Sequence, residues 1–435
     1  MSPAPLTPPD PSDPIVVTGL GAVSPLGVGI EATWRALMAR RSGIRANDRF
    51  DVSDYPARIA GLVPGKGEPD GFDPLDHVDG KDLRKMDLFI VYAVAAAAQA
   101  LAQAGWAPDA AEPLARTATI VGTGVGGVPA MTGAMETIRA RGPRRLSPFV
   151  VPSFLPNLAA GWISIRHGFT GPIGAPTTAC AASAQAIADG MRLIRSGEAD
   201  VALVGGADAC VDPISIGGFC AARALATEFN DRPEEASRPL DQARAGFVLS
   251  EGAAALVIET LSHARARGAT PLAVLAGHGA SADAYQLTAG HADGHGPRAA
   301  MEKAMAMAGL APADVDYVNA HSTSTPVGDA AELAAIAAAL PNRGKDLAVT
   351  ATKANTGHLL GAAGAIEAAI TVEILRRRTI PPAANLSAPE PAAQAWTLAT
   401  EGPVTRPIRA ALSNAFGFGG VNACLAFREA ASLPA

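Results

Sequence analysis

Thr177-Thr-Ala-Cys180-Ala-Ala-Ser183 runs on through Ala-Gln-Ala-Ile-Ala-Asp-Gly190 and Met-Arg-Leu-Ile-Arg-Ser-Gly197 into Glu-Ala-Asp-Val201-Ala-Leu-Val-Gly-Gly-Ala207. From Ser183 onward the spacing of apolar residues is helical, whereas ADVALVGGA (199–207) is a short apolar run of strand type. A cysteine therefore sits at the entrance to a helix that leads into a buried strand. The same alternation extends in both directions. Strand-like runs are IVVTG (15–19), TATIVGTG (117–124), AAALVIE (253–259), LAVLAGHG (272–279), VDYVNAH (315–321), LAVTATK (347–353) and RAALSNAFG (409–417). Between them lie the helical stretches EATWRALMARR, GPRAAMEKAMAMAGL and AAELAAIAAALP. Strands alternating with helices predict an α/β fold with helices covering mixed sheets. ACAAS with its helix is echoed by GHLLGAAGAIEAAITVEILRR, which suggests two pseudo-equivalent halves meeting at a central site.

Composition bounds the rest. At 435 residues, 49% hydrophobic and 17% charged, the chain is long enough for two fused halves with a large interior. Abundant Ala and Gly favour close helix–sheet approach. A net charge of −6 supplies no global basic field for nucleic acid. Cys180, Cys210, Cys220 and Cys424 have neither metal-ligand spacing nor the density of a disulfide scaffold, which predicts a reducing cytoplasm and no metal. The N-terminal MSPAPLTPPDPSDP has no apolar signal core and reads as a disordered or extended leader over residues 1–13. LFIVYAVAAAA (88–98) is too short for a membrane span of about twenty residues and reads as a buried helix.

The chemistry gathers around Cys180. Thiolate is the nucleophile, and the unperturbed thiol pKa is about 8.5, so activation is needed. A helix N-terminus favours negative charge, and imidazole is the usual partner. His321 lies in Asn-Ala-His-Ser-Thr-Ser-Thr and His358 in Thr-Lys353-Ala-Asn-Thr-Gly-His, each at the end of a strand-like run. Each alone is open to a structural or a catalytic reading, and Cys180 alone could be inert core filler, as Cys210, Cys220 and Cys424 are read. Together, one cysteine and two histidines can attack a thioester, stabilise an enolate and steer a proton. Phe416-Gly-Phe418-Gly-Gly reads as a tight turn that presents backbone N–H groups to an oxyanion. Two stretches compete as nucleotide loops: Gly19-Leu-Gly21, and Gly122-Thr-Gly124-Val-Gly-Gly127. The first lacks a third glycine, and the second lacks the acidic residue about twenty positions on, so neither fits a dinucleotide site.

At this point the chain resembles the β-ketoacyl-acyl carrier protein synthases of the type I/II class, closest to synthase II. The likeness runs from VVTGLGAVSPLG through RKMDLFIVYA, GPRRLSPFVVPS, TACAAS, GGFCAARALA, SRPLDQARAGFVLSEG and NAHSTSTPVGD to TKANTGHLLGAAGAIEA and SNAFGFGGVNA. It implies a thiolase-like fold, two halves in a five-layer αβαβα arrangement, with the nucleophile half at 14–269 and the histidine half at 270–429. It implies that Cys180 carries the acyl chain, that His321 and His358 promote decarboxylation of a malonyl thioester, and that the N–H groups of Cys180 and Phe418 form the oxyanion hole. Lys353 and Glu367 match an ion pair beside the site, read either as direct participants or as a brace for the two histidine segments. Thr323 and Thr325 match hydroxyls that bind the phosphopantetheine arm, Phe418 a gate, and Val125 and Phe416 the acyl pocket. Lys81, Arg84, Lys85, Arg144, Arg145 and Arg223 match a docking patch for an acidic acyl carrier protein. No cofactor of its own, a homodimer, and neither nucleic-acid nor membrane partners complete the implied picture. The sequence departs from the pattern at Ser322, Ala245, Ser250, Ala254 and Val421; Ser322 and Val421 are expected near the substrate arm, which leaves fatty-acid elongation and a polyketide or specialised lipid pathway both open. A non-condensing chain-length subunit and a thiolase are disfavoured by Cys180 with both histidines and by the Lys353…His358 set.

Overall fold

The computed structural model describes residues 7–433. Ten strands and six helices position the site. The first half holds strands β1 (Ile15–Ser24), β2 (Thr117–Gly122), β3 (Ile173–Gly174), β4 (Val201–Asp208) and β5 (Gly252–Thr260). Its helices are α1 (Leu88–Ala104), α2 (Leu158–His167) and α3 (Ala182–Arg195). The second half holds β6 (Ala273–Ala282), β7 (Tyr317–Asn319), β8 (Ala348–Thr350), β9 (Ala410–Gly417) and β10 (Val421–Glu429). Its helices are α4 (His295–Ala308), α5 (Pro326–Ala339) and α6 (Ala363–Arg377).

The two halves have one topology. The first sheet is ordered β1-β5-β4-β2-β3 and the second β6-β10-β9-β7-β8. In each, the first two pairings of that order are antiparallel and the last two are parallel. Each half also places its three helices at the same points of the strand order. The sheets join along β1 and β6 through Val16↔Val274 and Val17↔Ala273.

Burial explains the layering. α1 and α2 cover the outer face of the first sheet, where Phe89–Ala97, Ala100 and Leu101 meet Ile163, Val121, Leu203 and Val257. α3 and α6 lie between the sheets in one large core with Ile187, Ile194, Ile366, Ile370, Val204 and Leu425. α4 and α5 cover the second sheet's outer face with Met301, Met305, Leu333 and Ile336. The order helix–sheet–helix–sheet–helix is the five-layer arrangement that the family resemblance implied. Every residue of α6 from Ala363 to Leu375 is buried, as a helix in the middle layer must be.

The glycine stretch near the N-terminus has a packing role. A Cβ on Gly19 or Gly21 would stand 2.0 or 1.9 Å from the carbonyl oxygens of Ala100 or Ala96 on α1. Gly279 of β6 meets Ala300 of α4 in the same way, at 2.0 Å.

Some boundaries differ from the sequence reading. LAVTATK ends as a strand at Thr350, and Lys353 begins a helical turn, Lys353–Thr356. The strand Val421–Glu429 was not anticipated, because NACLAF carries few β-branched residues. Residues 1–6 of the proline-rich leader lie outside the described residues. Its last part is fastened rather than free: the Arg195 guanidinium donates to the Asp13 carbonyl at 2.7 Å, and Ser262 Oγ to Asp13 Oδ2 at 2.6 Å.

Candidate active site

Cys180 lies in a one-turn 3-10 segment, Ala179–Ala181, that feeds directly into α3. The chain enters this turn through Ala179 at φ +48°, a conformation that L-residues rarely adopt. That strain lifts the cysteine out of the helical path and turns it toward the second half. His358 sits opposite. Its backbone N–H donates to the Val248 carbonyl (2.8 Å), while its own carbonyl accepts from Ser250 N–H (3.0 Å). Phe247 meets its ring edge-on at 5.3 Å. Held in this way, Nε2 of His358 lies 3.0 Å from Cys180 Sγ. Nδ1 is buried with no hydrogen-bond partner, so backbone pairing and the Phe247 contact orient the ring.

His321 follows β7 and completes the group, its ring 5.4 Å from that of His358 and 5.6 Å from Phe416. Lys353, 1% exposed, places Nζ 3.4 Å from His321 Nδ1 and pairs with the equally buried Glu367. The sequence reading thus brought five residues to one place: Cys180, His321, His358, Lys353 and Glu367. The backbone N–H groups of Phe418 and of Cys180 itself point at Sγ.

Electrostatics set the resting protonation. Burial pushes the Cys180 thiol up to about 12, outweighing the Lys353 charge and the two N–H groups, which act the other way. The helix-start advantage expected for a thiolate is therefore outweighed by desolvation. Burial, with Lys353 beside them, holds both His321 and His358 well below the usual histidine range. Burial raises Glu367 to about 7 against the opposing pull of Lys353. The free site is a neutral thiol facing neutral imidazoles.

Several positioning groups escaped the sequence reading. Glu332 on α5 accepts from His321 N–H (2.8 Å), Ser322 N–H (2.6 Å), Ser322 Oγ (2.8 Å) and Asn414 Nδ2 (3.0 Å). Ser322 is therefore turned inward to this carboxylate, not toward a substrate arm. Asp208, at the end of β4, accepts from Thr123 Oγ1 (2.7 Å), Gly124 N–H (2.8 Å) and Gly361 N–H (2.6 Å). Its carboxyl is raised to about 6 by burial. Both were legible in principle: Glu332 is one of two acids in an otherwise apolar, Ala-rich helix, and Asp208 a lone charge at the end of an apolar strand.

The remaining expected residues are placed as follows. Thr323 and Thr325 are half-buried, with hydroxyls 3.1 Å apart. Asp329 (to Thr325 N–H, 3.3 Å) and Arg244 (to the Thr325 carbonyl, 3.1 Å) fix their loop. Phe418 is 39% exposed. Val125, 43% exposed, stands on an open turn of the single chain and is not enclosed by it. Arg84, Lys81, Arg144, Arg145 and Arg223 are exposed. Lys85 is half-buried, paired with Asp82 at 2.7 Å and stacked over Phe149 at 5.2 Å, so it is the least available of the six.

Comparison with known proteins agrees with this geometry. Residues 12–264 match the family "Beta-ketoacyl synthase, N-terminal domain" and residues 272–387 match "Beta-ketoacyl synthase, C-terminal domain". The 3-oxoacyl-[acyl-carrier-protein] synthase 2 of Rhizobium meliloti is 45% identical over 95% of this chain and 98% of its own length. A beta-ketoacyl synthase crystal structure from Burkholderia phymatum superposes with a TM-score of 0.86 at 31% identity, over 96% of this chain and 99% of the other. A chain of AntDE:AntF, a type II PKS acyl-carrier protein in complex with its ketosynthase bound to the hexaketide, gives 0.84 at 27% identity, over 97% and 99%.

Proposed function

The chain belongs to the beta-ketoacyl synthase family, and we propose that it is a 3-oxoacyl-[acyl-carrier-protein] synthase of fatty-acid elongation. The observation that carries this reading is Cys180 Sγ 3.0 Å from His358 Nε2, with His321 beside it and two backbone N–H groups aimed at the sulfur.

Each step follows from that placement. The thiol, neutral at rest, passes its proton to His358 Nε2 as sulfur attacks the carbonyl of an acyl-carrier thioester. The oxyanion forms against the N–H groups of Cys180 and Phe418, and the carrier thiol departs with the proton. Malonyl-carrier thioester then binds, with Thr323 and Thr325 hydrogen-bonding its phosphopantetheine arm. Loss of carbon dioxide leaves the bonding pair as an enolate. The neutral His321 imidazole, whose Nδ1 faces Lys353 Nζ at 3.4 Å and so carries its proton on Nε2, donates that N–H to the enolate oxygen where little water enters. The enolate carbon attacks the acyl-enzyme and Cys180 leaves as sulfur anion, to be reprotonated, with the product two carbons longer as a β-ketoacyl thioester. Lys353 has the role of keeping both imidazoles neutral and His321 in place, and Glu367 that of partnering its charge. No cofactor enters these steps.

The carrier protein is the proposed partner, docked near Lys81, Arg84, Arg144, Arg145 and Arg223. A homodimer is supported by the open sheet edge at β3, where Ile173 is 52% exposed. A cytoplasmic setting is consistent with four unpaired cysteines. Among the described residues no helix is long and apolar enough to cross a membrane. The polyketide alternative rests on structural neighbours of lower identity than the elongation relatives.

The test is intact-protein mass spectrometry after mixing with acyl-carrier proteins of graded chain length, then malonyl-carrier protein. An adduct mapped to Cys180 that leaves as the two-carbon-longer product is expected. Folded protein that takes no straight chain at all sinks the elongation reading.

A further inference from the structure

Away from Cys180, His291 and Asp293 on the loop between β6 and α4 stand together with His295, the first residue of α4. Each offers one ligand atom, and the three atoms lie within 4.8 Å of one another. Both imidazole Nδ1 atoms face the same Asp293 oxygen, at 2.8 Å from His291 and 2.9 Å from His295. The two rings meet edge-on at 5.1 Å, and Tyr285 walls His291 at 5.0 Å. The intervening backbone is fixed. Gly294 sits at φ +64°, and a Cβ there would meet the Ala331 carbonyl oxygen at 2.4 Å.

Two imidazoles and a carboxylate make a borderline donor set. It suits zinc and its first-row neighbours rather than magnesium or calcium, which prefer all-oxygen shells. In a tetrahedral zinc shell, ligand atoms stand about 3.4 Å apart. Rotation of three partly exposed side chains closes the set to that spacing. Three protein ligands leave one coordination position for water. Because the sequence reading weighed metal binding only at the cysteines, this group was not considered there.

The same loop holds the gating turn. The Leu287 carbonyl accepts from Gly419 N–H at 2.7 Å, Asp283 N–H donates to the Gly420 carbonyl at 2.9 Å, and Asn422 Nδ2 donates to Asp283 Oδ1 at 2.7 Å. We infer that His291, Asp293 and His295 bind a zinc-class divalent ion, and that the bound ion stiffens this loop against Gly419 and slows the swing of Phe418 that admits the acyl chain. The binding stands on geometry alone. The effect on loading rests on the function proposed above.

Calorimetric titration of zinc chloride into the tag-free full chain carrying Cys180→Ala, which removes the reactive thiol as a rival ligand, tests the first part. About one ion per chain is expected, with binding weakened roughly tenfold or more by adding His291→Ala and His295→Ala. Equal binding with and without those histidines, or none in either, overturns the site. Acylation of Cys180 with and without zinc, followed by intact mass, tests the second. Slowing of several-fold is expected in the otherwise unaltered chain and none in the His291→Ala/His295→Ala chain. Equal slowing in both places the metal at Cys180 and His358 and overturns the gate effect, as does unchanged acylation of the zinc-bound enzyme. Failure of acylation without any zinc would count against the elongation reading and leave the binding result standing.

Discussion

The turns that open α3 and α6 are copies of one another. Ala179-Cys180-Ala-Ala-Ser183-Ala and Leu360-Gly361-Ala-Ala-Gly364-Ala each start on a residue at φ +48°, make one 3-10 turn and enter a middle-layer helix. Their surroundings are exchanged between halves. Asp208, from the first half, accepts the N–H of Gly361, whereas the Phe416–Gly420 turn, from the second, covers Cys180. The copies differ at one critical place. At 180 there is room for a thiol, but a Cβ at 361 would stand 2.2 Å from Gly124 N and 2.7 Å from Asp208 Oδ2. The two halves share one launch-point backbone, and only the turn at Cys180 has room for a side chain. The other fixes the loop that leads back to His358.

That contrast is open to attack at several strengths. Cys180→Ala is expected to lower condensation by at least about a thousandfold, measured as β-ketoacyl product per enzyme; residual activity above a few per cent breaks the claim that this turn alone carries the nucleophile. His321→Ala is expected to reduce malonyl-carrier decarboxylation roughly a hundredfold while sparing self-acylation more, because its N–H serves the enolate and not the thiol. Equal losses in the two assays would merge the roles of the two imidazoles.

At the copied turn, Gly361→Ala is expected to cost about 3 kcal/mol of stability through overpacking against Gly124 and Asp208, read from denaturant midpoints. A neutral outcome would show that this turn has slack. The charge state at Cys180 sharpens the comparison further. With the thiol raised to about 12, alkylation by iodoacetamide is expected to climb about tenfold per pH unit between pH 7 and 9, since thiolate is gained as pH rises toward the pKa. A plateau by pH 8 would mean that His358 already holds the proton at rest. The smallest effect lies at the periphery: Arg144→Glu with Arg145→Glu is expected to raise KM for carrier substrates several-fold with kcat nearly unchanged. Unaltered kinetics would place docking elsewhere.

Much of this was legible in the primary structure for a local reason. Strand and helix periods are carried by near neighbours, so all eight of the strand runs, the buried helix at 88–98 and the positions of Cys180, His321 and His358 could be read directly. The internal echo was visible in ACAAS and LGAAG but looked weak, because the copies share a backbone path more than side chains. β10 was missed since its partners, not its own composition, make it a strand. Glu332 was passed over because an acid on a helix is ordinarily solvated, and only the fold buries it against His321.

By itself, then, the sequence determined the alternating α/β framework, the doubled order of its elements and the residues that gather at the candidate site. The tertiary structure decided their condition: a neutral thiol, two neutral imidazoles, Ser322 turned to Glu332, Lys85 drawn over Phe149, and Gly361 closed to any side chain. Those properties depend on desolvation and on contacts such as Asp208 with Gly361, 153 residues apart. No local pattern encodes the dielectric or the partner that a residue meets once two distant segments are packed together.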